Sequence, residues 1–272
     1  MANMKVNRNS MKRNTLYIIF IFSLLYNVVF CQELTASTPD SEKLIGYRIG
    51  ETLVNIAIHI NGETDFVFFN MHDNENTSVD ASKKYIEENG GCLVEVKANG
   101  DRLITFTLNN INYTFDPNRI FTDVGIKKTL KKHGNYSEKA FTVVQKFAQF
   151  LINLVFMDDP KAIIAVHNNT NGRYSVKSYS TNGVYQNDAE SVNVVESHDS
   201  DDFFFVTERK YFESIQDLGF NVALQNNENV TDDGSLSVYC GQHEIPYINI
   251  EAQQGHFDQQ LEMMEAIPSI ID

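Results

Sequence analysis

Phe68-Phe69-Asn70-Met71-His72-Asp73-Asn74-Glu75 is the stretch on which the reading of this chain turns. It closes an apolar, strand-like run (Asp65 to Asn70) and passes at once into an H-x-x-E pair. A neutral imidazole and a carboxylate at that spacing can reach one ion from a single turn. Zinc accepts such N and O donors, and a hydrolytic zinc needs three from the protein and one open position. The pair therefore asks for a third donor elsewhere in the chain.

The 272 residues begin with a basic leader, Lys5, Arg8, Lys12 and Arg13, followed by an apolar run from Leu16 to Phe30 that only Ser23 and Asn27 interrupt. The run is shorter than the ~20 residues of a membrane-spanning helix and has the pattern of a secretory signal. The reading is a signal peptide over 1–31, a flexible lead-in over 32–44 and one α/β-sized domain over 45–272. It places the protein in the secreted, extracellular compartment, with no stable membrane association once the leader is cleaved; an uncleaved anchor is the alternative.

The whole chain has 22 basic and 36 acidic residues, a net charge of −14, and setting the leader's four basic residues aside takes the charge to −18. That disfavours nucleic acid and anionic membranes as partners. Cys92 and Cys240 remain after cleavage, and an oxidising compartment predicts that they form one disulfide. Sequons at Asn76, Asn112, Asn135, Asn168 and Asn229 are acceptors in a eukaryotic-type secretory pathway. Asn76 and Asn168 adjoin candidate metal ligands and are expected to stay unmodified.

Strand-like and helix-like segments alternate after the lead-in. Leu53–Ile60 and Asp65–Asn70 read as strands, and Val79–Glu88 as a helix stopped by Asn89-Gly90-Gly91. Leu93–Lys97 and Leu103–Leu108 alternate like strands, with Asn99-Gly100-Asp101 as a hairpin turn between them. Ser137 caps a long helix with an apolar stripe of Phe141, Val144, Phe147, Ala148 and Leu151. Ala162–Val166 is short and uniformly apolar, as a strand buried on both faces must be. Phe203–Val206, Asn221–Leu224 and Tyr247–Ile250 read as later strands, Tyr211–Leu218 and Phe257–Ala266 as helices. The pattern predicts an α/β fold: one domain with a mixed, mostly parallel sheet and helices on both faces.

Functional side chains gather where the strands of such sheets end. His72 and Glu75 follow one strand, His167 follows Ala162–Val166, and Glu251 ends Tyr247–Ile250. Asp116-Pro117-Asn118-Arg119 follows the strand-like Ile111–Phe115. This order resembles that of the zinc carboxypeptidase family and its amidase and deacylase (succinylglutamate desuccinylase/aspartoacylase-type) relatives: H-x-x-E, then Asp-x-Asn-Arg, then a His after a central strand, then a Glu on a late strand. The resemblance spans about residues 50 to 270.

It implies a zinc ion held by His72, Glu75 and His167, with Glu251 as the general base for an attacking water. It further implies that Asp116 orients His72, that Asn118 and Arg119 hold the substrate, and that a tyrosine, Tyr239 being the nearest candidate, contributes to binding. The implied substrate is a small peptide or an N-acyl amino acid. Arg102 is the sole arginine between Glu75 and Asp116 and so the sole candidate to polarise the scissile carbonyl, from a strand-like setting. The competing reading is a secreted, non-catalytic binding or structural protein that kept the fold. Outside this set, His59 reads as a core or edge histidine, His198-Asp199-Ser200-Asp201-Asp202 as an acidic loop, and His256 as a residue at the start of the last helix.

Overall fold

The computed structural model describes residues 41–272; the leader and most of the lead-in lie outside the described residues. Eleven strands and six α-helices follow one another. Nine strands form one sheet in the order β1-β2-β4-β3-β7-β11-β9-β10-β8. They are β1 (Ser41–Ile49), β2 (Thr52–Asn61), β3 (Phe66–Asn70), β4 (Gly91–Lys97), β7 (Ala162–Asn169), β8 (Ala189–Asn193), β9 (Phe203–Val206), β10 (Val222–Gln225) and β11 (Tyr247–Gln253). β1 starts at Ser41, inside the stretch read as lead-in.

The mixed α/β architecture expected from the sequence is the one observed, with one difference. Within the nine-stranded sheet, parallel and antiparallel pairings among the described residues are equal in number, four each. The parallel strands β4, β3, β7 and β11 occupy the centre, and antiparallel strands flank them. The flank at β1–β2 follows from a tight reversal, Ile49 opposite Thr52, with Gly50 at φ 57°. So short a connection permits only antiparallel neighbours.

β7 shows why the centre is parallel. All eight of its residues are buried, and Ile163, Ile164 and Val166 give it apolar contacts on both faces, which a strand covered by helices on each side requires. On one face lie helices α1 (Asn76–Asn89), α4 (Arg209–Asp217) and α6 (Phe257–Ile271), packed over Phe68, Ile164, Val166, Ile248 and Ile250. On the other lies α3 (Glu138–Val155), whose Phe147 and Phe150 meet Tyr47 of β1. The Ser137 hydroxyl accepts a bond from the Ala140 amide and caps α3 as expected. Helix α5 (Leu236–Gln242) packs against β11.

Two sequence readings are corrected. Asn99-Gly100 does make a turn, but it joins no hairpin: β5 (Ile104–Leu108) pairs instead with β6 (Ile111–Phe115) in a separate two-stranded sheet. The true hairpin turn is Asn109-Asn110, both left-handed at φ 53° and 60°, as a two-residue hairpin loop demands. The disulfide does not form: Cys92 and Cys240 are both free. Cys92 lies on β4, while Cys240 sits on α5 against β11. Three strand spacings of roughly 4.8 Å separate those strands, about twice the ~7 Å between Cα atoms that a disulfide can span. Burial pushes the Cys92 thiol up to about 12 and the Cys240 thiol higher still, so neither is a reactive thiolate.

Candidate metal centre

The three central strands β3, β7 and β11 run the same way, so their C-terminal ends lie side by side. β3 delivers the turn 72–75, which closes when the Glu75 amide donates to the His72 carbonyl at 3.0 Å. Asn70 fixes the approach: its Nδ2 donates to Ser78 Oγ at 3.0 Å and to the Val166 carbonyl at 3.3 Å. Glu75 is the N-cap residue of α1, where the helix dipole favours a carboxylate. Asn168 clamps the same helix to the sheet, accepting from the Ser78 amide and donating to Gln260. Its side chain is thus spent inside the fold, which excludes a glycan on this sequon in the folded state.

These constraints bring three donor atoms together. His72 Nδ1 lies 2.9 Å from Glu75 Oε1, His167 Nδ1 lies 2.8 Å from Glu75 Oε2, and the two Nδ1 atoms are 3.3 Å apart. All three side chains are buried. Donors about 2.0–2.1 Å from one ion in a tetrahedral site stand roughly 3.3 Å apart, which is the observed Nδ1–Nδ1 spacing. The donor set of two imidazoles and one carboxylate is also the kind that zinc takes, so the residues fit that ion.

The outer partners aim the rings. His72 Nε2 donates to Asp116 Oδ1 at 2.8 Å, which leaves the Nδ1 lone pair facing Glu75 and His167. Asp116 is fixed in turn: its amide donates to Thr129 Oγ1 and its Oδ1 accepts from the Asn118 amide. His167 Nε2 lies 3.3 Å from Asn118 Nδ2.

Charge follows from this packing. Burial works to lower the pKa of His72, but Glu75 and Asp116 on either side outweigh it and raise it. Burial works to raise Glu75, and the two imidazoles overcome it and hold the carboxyl well below its ordinary range. Asp116 likewise stays ionised, against burial, through His72, Arg119 and Arg102.

Glu251 on β11 is the register partner of His167 on β7, so both project from the same face at adjacent strand ends. It is buried and receives a bond from Asn249 Nδ2 at 3.3 Å. Burial raises its pKa, His167 opposes that, and Glu75 adds to it.

The remaining expected residues divide. Arg119 reaches the rim of the site, with Nε 3.3 Å from Asp233 and Nη1 donating to the Asn118 carbonyl. Asn118 is committed within the fold: its Oδ1 accepts from the Leu236 amide and its Nδ2 lies beside His167 Nε2. Tyr239 is not brought to the site. Its ring stacks on His243, one helical turn along α5, with centroids 4.2 Å apart.

Tyr174 and Tyr179 share a hydrogen bond between their hydroxyls and lie within electrostatic range of Glu251 and Arg119. They belong to an irregular segment after β7, where no periodicity marks a side chain's direction. Arg102 does join the site. It stands in the irregular link before β5, not within a strand, and its Nη1 donates to Glu75 Oε1 while Nε lies 3.8 Å from Asp116 Oδ2.

The fold and this cluster define a candidate mononuclear metal centre at the C-terminal edge of a mixed α/β sheet. No protein-family model matches the chain, and no characterised protein matches it by sequence. In structure it is similar to murein-tripeptide amidase from Escherichia coli O157, with a TM-score of 0.44, 12% identity and coverage of 87% of this chain and 94% of that one. It is similar also to an aspartoacylase family protein from Mesorhizobium loti (TM-score 0.41, 10% identity, 83% and 66% covered). A third similar structure is bovine thrombin-activatable fibrinolysis inhibitor, in complex with tick carboxypeptidase inhibitor (TM-score 0.41, 11% identity, 92% and 94% covered).

Proposed function

We propose that this chain is a zinc-dependent hydrolase that cleaves an amide bond in a small peptide or an N-acyl amino acid. The observation that carries the reading is the convergence of His72 Nδ1, Glu75 and His167 Nδ1, with Glu251 beside them in register with His167. Two histidines and a carboxylate buried around one point, with Asp116 behind His72 and Arg102 behind Glu75, make a preorganised cation site and not a solvated polar cluster.

Held by these three residues, zinc would supply a Lewis acid and bring the pKa of water towards neutrality. The chain's own residues do the rest. Glu251 takes a proton from the attacking water and returns it to the nitrogen of the leaving amine. Its buried position, which favours the protonated form, assists the first transfer, from water to carboxylate. Arg102 offers a guanidinium at the mouth of the site to the oxygen that gains negative charge at the scissile carbonyl. Arg119 presents a planar fork suited to a substrate carboxylate, for which Asp233 competes.

The export reading supports the same proposal for an extracellular setting. The leader lies outside the described residues, and no helix among the described residues is long and apolar enough to cross a membrane.

The test is Glu251→Gln in the zinc-loaded protein, assayed on a panel of peptides and N-acyl amino acids. Turnover falls by about 100- to 10,000-fold while zinc stays bound at one equivalent. A wild-type protein that binds zinc and cleaves none of the panel contradicts the proposal.

A further inference from the structure

Between the two ligands His72 and Glu75 lies Asp73, a buried carboxylate that faces away from the proposed ion. Its Oδ2 accepts from the amides of Ala98 and Gly100, both at 2.7 Å, and its Oδ1 is 2.7 Å from Lys97 Nζ. The turn it holds has left-handed residues at Asn99 and Gly100, φ 57° and 79°, and closes with the Asp101 amide on the Ala98 carbonyl at 3.1 Å. Backbone amides that converge in such a turn form a natural anion cradle. The next residue is Arg102.

We propose that Asp73 is a positioning residue: by anchoring the Ala98–Asp101 turn it delivers Arg102 to Glu75 and to the mouth of the metal centre. Arg102 has a half-exposed side chain, 45% accessible. Holding an arginine in one rotamer costs more side-chain entropy than a half-exposed ion pair typically returns. The side chain therefore points reliably at Glu75 only if its backbone starts from a fixed place.

No strand pairing supplies that fixity. β4 ends at Lys97, β5 starts at Ile104 and pairs elsewhere, and the residues between them lie largely in solvent. Asp73 supplies it through two charge-assisted bonds, each about twice as strong as a neutral one. Because Asp73 sits inside the ligand turn, one four-residue segment both donates to the ion and sets the arginine beside it. The catalytic consequence rests on the hydrolase reading above; the positional one does not.

The experiment compares wild type, Asp73→Asn, Arg102→Met and the double variant, all zinc-loaded. NMR exchange of the Ala98 and Gly100 amides and of the Arg102 Nε–H, identified by its absence in Arg102→Met, reads the positioning directly. In Asp73→Asn all three exchange at least about 10-fold faster, the order of one lost charge-assisted bond, while zinc affinity stays within about 3-fold. On a cleaved substrate, Arg102→Met lowers kcat/KM by about 100-fold. Asp73→Asn lowers it by about 10-fold, through kcat, and by less than 2-fold once Arg102 is gone. Unchanged exchange overturns the proposal, as does a 10-fold loss of zinc affinity in Asp73→Asn, or an equal loss of kcat/KM in both backgrounds. An inert wild-type protein sinks the hydrolase reading alone, since the exchange measurement still accepts or rejects the role of Asp73.

Discussion

Among the described residues, two clusters combine histidine and acidic side chains: His72, Glu75 and His167 at the strand ends, and Asp199, Asp202 and His256 on the loops beside them. By residue type they are close equivalents. In the first, all three members are buried and come from two strand ends 95 residues apart, with Asp116 behind His72 and Arg102 behind Glu75. The second is partly exposed, and its carboxylates already serve the fold. Asp202 accepts from the Gln253 amide and pairs with His256 Nδ1 at 2.8 Å, and Asp199 accepts from the Asp201 amide. The backbone carbonyls of Asp199 and Asp202 are taken by Asn221. Donor type alone does not make a cation site; donors must be held apart from other work and pointed at one place.

The hardest test of this contrast is removal of a histidine from each cluster. His167→Ala lowers zinc affinity by more than about 1000-fold, because a three-ligand site loses a ligand, whereas His256→Ala leaves both affinity and the single equivalent of zinc unchanged. Chelator competition with metal analysis reads both, and a second equivalent lost with His256 would erase the distinction.

One step smaller is Asp116→Asn, which keeps the shape and removes the charge that orients His72. Zinc affinity drops about 10- to 100-fold in the same assay. An unaltered affinity would mean that the ring is held by packing alone.

The loop cluster predicts a stability effect instead. Asp202→Asn weakens the bonds to Gln253 and His256 and lowers folding stability by about 1–2 kcal/mol in urea titration, with zinc affinity unmoved.

The smallest effect is a pH dependence away from both clusters. Glu95 is buried, and against that burial His59, Lys97 and Lys83 lower its pKa to about 2. A depressed carboxyl contributes stability above its ordinary value of 4.5, and that contribution is lost as pH falls from there through about 2. Glu95→Gln should therefore flatten the acid limb of metal-free stability over that window. A wild-type slope there would assign the acid sensitivity to the metal-site carboxylates.

How far the site was legible in the sequence can be argued residue by residue. His72, Glu75, His167 and Glu251 were visible because each follows an apolar run that can only be a strand, and strand ends are where such sheets carry chemistry. Asp116 was visible as the acid of a turn after β6. Helix α2 (Asp123–His133) was not, although Thr122 caps it and Asp123 opens it; four lysines leave its apolar face only Ile126 and Leu130 wide. Tyr174 and Tyr179 had no periodic setting to betray them, and the commitment of Asn118 shows only once Leu236 is beside it.

Local order along the chain was enough for the donor types, the strand ends and the α/β class, since period and turn chemistry act over a few residues. It could not say that β3, β7 and β11 lie adjacent in the sheet, which brings His72 to His167 across 95 residues. Nor could it say that Cys92 and Cys240 stay apart, that Asn118 lies beside His167, or that Arg102 reaches Glu75. Those outcomes rest on contacts between distant segments, whose free energy comes from burial and close packing of the whole domain and from no single stretch of it.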